Sequence, residues 1–126
     1  MSVVTRPQVE IDDRIRERPE LLAAVRQATD RLIDRAESVG PQVSLDWRLP
    51  PGAPSDIELA ITETTPTGTF TARRRFPARY LHDPFGRDAS TWRVWDDVLA
   101  DRVRRGLVRI GELITKLEEE ELANAG

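Results

Sequence analysis

The spacing of hydrophobic positions changes twice along the chain. Between Glu20 and Ser38 they fall at Leu21, Leu22, Val25, Ala28, Leu32, Ile33 and Ala36, the three- and four-residue steps of an amphipathic helix. Pro19 suits its first turn, and Gly40 with Pro41 should end it. From Val43 the period drops to two. Val43, Leu45, Trp47 and Leu49 alternate with polar residues, as do Ile57, Leu59 and Ile61. Phe70, Ala72 and Phe76 share a third face, with Arg74 among them. The segments 50–55 (PPGAPS) and 64–68 (TTPTG) supply turns. One-sided alternation predicts an antiparallel sheet with one wet face.

From Ser90 to Leu122 the helical period returns, at Trp92, Trp95, Val98/Leu99, Val103, Leu107, Ile110, Ile114 and Leu117. At about 1.5 Å per residue this helix would be roughly 50 Å long. A domain of this size has a radius of gyration of only about 14 Å. The helix must therefore bend, break or overhang its domain. Asp88 or Ser90 is expected to cap it, and Trp92 and Trp95 to dock its start on the sheet. Gly106 and Gly111 suggest a bend or the close approach of another helix. Glu118–Glu121 put negative charge at the C-terminal end, where the helix dipole disfavours it, so that end should fray unless a partner covers it. The predicted fold is α+β: a helix, a three-stranded antiparallel meander and a long C-terminal helix, forming an α-β-β-β-α two-layer sandwich. A tail or edge segment over 1–18 precedes a single domain over 19–126, whose long helix covers about 90–122.

Composition narrows the chemistry. The 126 residues include no cysteine, which excludes disulfides, thiolate metal sites and a cysteine nucleophile. One histidine, His82, beside Asp83 and with Ser90 nearby, lacks the context of a catalytic triad. Neither a calcium-loop spacing nor a glycine-rich phosphate loop occurs. No catalytic residue, metal or cofactor is expected. The longest apolar run is Leu21–Val25, so the sequence predicts neither secretion nor membrane spanning, and the cytoplasm, in a bacterium, is the expected location. All basic residues but Lys116 are Arg, a bias that suits planar anion recognition and that a GC-rich genome also produces.

Residues 57–84, IELAITETTPTGTFTARRRFPARYLHDP, carry Thr65-Pro66, Gly68, Phe70, Phe76-Pro77, Tyr80 and Pro84 in series. This resembles the β-meander of ubiquitin-conjugating (E2) and related RWD-like domains. The resemblance implies a protein-binding scaffold without thioester chemistry, since the cysteine, the His-Pro-Asn segment and the fourth strand of that family are missing here.

Two partner surfaces suggest themselves. Val103, Leu107, Ile110, Ile114 and Leu117 step 4-3-4-3, a heptad seam of about two repeats. It predicts a non-catalytic protein-interaction module, dimerising with itself or binding another protein. The alternative is a nucleic-acid surface built from Arg73, Arg75, Arg79, Arg102, Arg105 and Arg109, with Tyr80, Phe85 and Trp92 as stacking groups. Residues 70–110 carry ten Arg against five acids, while acidic residues flank them on both sides. Acids three or four positions from the helix Arg residues point instead to a salt-bridged, solvated face.

Overall fold

A computed structural model describes residues 6–36 and 42–124. The order is β1 (Gln8–Ile11), α1 (Asp13–Arg16), α2 (Pro19–Arg35), β2 (Val43–Arg48), β3 (Asp56–Thr65), β4 (Gly68–Pro77), a 3-10 turn over Ala78–His82, and α3 (Pro84–Asn124). The fold is α+β, and the sheet has four strands in the order β1-β2-β3-β4. The expected meander is present as β2-β3-β4, but the three-stranded sheet must be corrected. β1 pairs in parallel with β2, Val9 opposite Leu45 and Ile11 opposite Trp47. A parallel neighbour needs a crossover, and α1 with α2 provides it.

Alternation sets the faces. Val43, Leu45, Trp47, Ile57, Leu59, Ile61, Ala72 and Phe76 are buried on the side that carries the helices. α2 lays Leu21, Ala24, Val25, Ala28, Thr29 and Leu32 against them. The buried Thr29 hydroxyl donates to the Val25 carbonyl at 2.8 Å and accepts from Trp47 Nε1 at 2.9 Å, tying α2 to the central strand pair. Pro19 occupies the first turn of α2, as its fixed φ favours. The expected stop at Gly40 and Pro41 lies outside the described residues. At the β3–β4 turn, Thr65 pairs with Gly68, whose φ of 147° favours glycine.

The long helix begins six residues earlier than the sequence pattern indicates. Asp83, not Asp88 or Ser90, receives the Gly86 N–H on its side chain, at 3.2 Å. Pro84 then fills the first turn, a position where its missing N–H costs nothing. Asp83→Ala should lower stability by about 1 kcal/mol, a fall in melting temperature of about 4 °C in a thermal scan. Asp88 lies inside the helix and accepts from Arg31 at 3.4 Å and Arg35 at 3.2 Å. Trp95 is buried as expected, but Trp92 is 37% exposed and belongs to the surface. The helix runs without interruption to Asn124, about 60 Å at 1.5 Å per residue. A Cβ at Gly106 or Gly111 would meet nothing within 4 Å, so neither glycine serves packing inside this chain. Among the described residues no helix is long and apolar enough to cross a membrane.

Candidate partner interface

α3 has two halves with different surroundings. Its first half buries Arg87, Thr91, Val94, Trp95, Val98 and Asp101 against the body. No described residue after Asp101 is buried. From Gly106 to Asn124 the helix projects about 28 Å beyond its last anchored turn.

That last turn is held by charge. Glu63 falls on the apolar phase of β3, two residues past Ile61, and is 3% exposed. Arg102 Nε donates to its two oxygens at 3.1 and 2.8 Å, and Arg105 donates to Oε1 at 2.6 Å. Arg105 also donates to Asp101 at 2.7 Å, and Arg104 does so at 2.6 Å. The Arg102 guanidinium lies 4.9 Å from the centre of the Trp95 ring. Burial pushes the Glu63 carboxyl up, but the hydrogen bonds and charges of Arg102 and Arg105 outweigh it and hold it below its ordinary value. Asp101 is lowered by the same balance, with Arg104 and Arg105 outweighing burial. Nearer the start of the helix, Arg74 from β4 forks onto Asp97 at 2.8 and 3.0 Å. Glu63 was not among the sequence candidates, although its place in the 57-59-61-63 alternation marks it as an inward acid in need of a cation.

Val103, in the anchored turn, is 62% exposed, and on the projecting part Ile110 is 55%, Ile114 50% and Leu117 53% exposed. Leu107, the fifth member of the expected seam, is not among the residues whose side chains are described. Val108, Leu113 and Leu122 are exposed as well. Single exposed apolar residues are ordinary on a soluble protein, but a row on one projecting helix is not.

The six Arg residues of the alternative surface do not form one patch. Arg73 and Arg75 point to the outer face of the sheet, 3.7 and 3.5 Å from Glu58. Arg79 sits 5.5 Å over the Tyr80 ring. Arg102 and Arg105 lie on the helix side, engaged by Glu63, with the sheet between them and the first pair. Arg109 joins them along a groove of about 840 Å³ between α3 and the β3–β4 turn.

A second concavity, of about 610 Å³, lies between α2 and the first turns of α3, lined by Arg31, Leu32, Arg35, Phe85, Ala89 and Trp92 among others. Phe85 is 82% exposed at its mouth. Among the described residues no cluster of three or more metal-ligating side chains occurs. The chain matches no family model, and comparison with curated proteins and with solved structures gave no match.

Proposed function

We propose that this domain is a protein-interaction module that dimerises through the projecting half of α3. The observation that carries the reading is the exposed row Val103, Ile110, Ile114 and Leu117 on a helix in which no described residue beyond Asp101 is buried. An isolated helical segment in water is marginal, and most helical stability comes from packing an apolar face. A second copy offers the same face, and a two-fold axis makes the surface self-complementary.

Light scattering tests this directly. The chain should run at twice its 14.3 kDa mass at tens of micromolar and dissociate on dilution. Ile110→Asp with Ile114→Asp should give the monomer mass, because a carboxylate in an apolar seam is costly to desolvate. Both positions are exposed within one chain, so the far-UV spectrum should stay native. A monomeric wild type, or a variant that remains dimeric, would remove the reading.

A further inference from the structure

The apolar row does not start at Val103. Phe85, Trp92 and Leu99 lie seven residues apart, and Val103, Ile110 and Leu117 repeat that spacing one turn further on. Seven residues return a helix to nearly the same side, so these six positions form one continuous stripe along α3. Phe85 and Trp92 are exposed, Leu99 is half-buried, and the rest are exposed. At the stripe's upper end Phe85 and Trp92 line the cleft beside α2. Its lower end is the helix tip with Leu122 and the acidic run Glu118–Glu121.

We propose that the cleft between α2 and α3 seats the helix tip of a second copy, the two α3 helices running antiparallel about a centre near Val103. This rests on the dimer reading above and gives it an orientation and a second contact surface. In that register Ile114 of one copy lies opposite Trp92 of the other, and Glu121 lies opposite Phe85. Charge supports the same arrangement. Arg31 and Arg35 at the cleft share the single carboxylate of Asp88, with side chains about half exposed at 50% and 52%. They offer cations to the four consecutive Glu of the tip. Those Glu residues sit where their own helix dipole disfavours them, and the seat places them near the positive N-terminal end of the partner's α3. A parallel pair would instead set the two acidic runs side by side, where like charges repel.

The absence of native cysteine makes the test direct. Phe85→Cys and Glu121→Cys variants, each at an exposed site, are prepared separately and treated with a short bismaleimide, alone and mixed. The expected result is a covalent dimer in the mixture and little in either variant alone. Phe85→Glu should also weaken the dimer about tenfold, by placing a carboxylate against an acidic tip. Wild-type monomer in light scattering would sink the dimer and this seat together. A dimer in which Glu121→Cys links to itself, or links to Arg104→Cys rather than to Phe85→Cys, would keep the dimer and overturn the seat. A dimer that gives none of these links also overturns it.

Discussion

Trp47→Ala should destabilise the domain by about 4 kcal/mol, within the range for deleting a large aromatic side chain from a core. Trp47 has no exposed surface and is the last inward-facing residue of β2. Its neighbours across the sheet are Ile11 in β1 and Leu59 in β3. The Phe76 ring meets it edge-on, with centroids 6.2 Å apart and planes at 82°. Its indole N–H is used by Thr29, so truncation also removes the hydrogen bond that ties the sheet to α2. Three strands and a helix converge here, and the surroundings cannot collapse into the space without breaking sheet register. A domain of ordinary stability, about 5–15 kcal/mol, would lose much of its margin. Trp92→Ala on the half-exposed side of α3 should cost about 1 kcal/mol or less in the isolated chain. Urea denaturation of both variants gives the comparison. Equal losses for the two tryptophans would contradict the core described here.

Glu63→Gln should cost about 3 kcal/mol at neutral pH, the low end for breaking a buried ion pair by removing one partner. The low end applies because the Arg102 and Arg105 side chains keep 24% and 35% of their surface exposed, and water relieves part of their loss. The amide keeps the size of the carboxylate but not its charge, so two guanidiniums face a neutral group. The wild-type protein should show the matching acid sensitivity. In the folded state the Glu63 carboxyl binds its proton less readily than in the unfolded chain, so the unfolded state takes up more protons in acid. Its contribution is complete above the ordinary glutamate value of 4.5 and fades as pH falls through the lowered folded value. Asp97 is lowered chiefly by its hydrogen bond from Arg74, and it adds to the same trend. The stability difference between wild type and Glu63→Gln should therefore shrink from pH 7 towards pH 3. A difference that is flat across that range would show that Glu63 acts through shape rather than charge.

Much of this architecture is local enough to be legible in the chain. The period-two runs identify β2, β3 and β4, and they place Arg74 inside the sheet's helix-bearing face, where Asp97 meets it. The 3.6-residue pattern identifies α2 and the body of α3. Two departures from the sequence reading have different causes. Pro84 and Gly86 look like loop residues, yet a proline in the first turn and a glycine beside the Asp83 cap begin a helix equally well. Val9 and Ile11 alternate too briefly to announce a strand, and β1 exists because the β2 edge offers it hydrogen bonds.

The amino-acid order by itself determined α2, the strands β2, β3 and β4 and the body of α3, because that choice follows from side-chain period, caps and turn residues within a few positions. It also determined that α3 would be too long for its domain. Tertiary structure alone decided which apolar edge of α3 meets the sheet. Trp92 and Trp95 are one helical step apart and chemically identical, yet Trp95 enters the core and Trp92 faces out. Trp95 enters the core with Val94 and Val98, and Glu63 and Arg74 hold Arg102, Arg105 and Asp97 in that same rotation of the helix. That rotation turns the Phe85-to-Leu117 stripe outward except at Leu99, which packs against the core. Contacts between residues 23 to 42 positions apart leave no local periodicity, and for that reason they had to be seen in the folded chain.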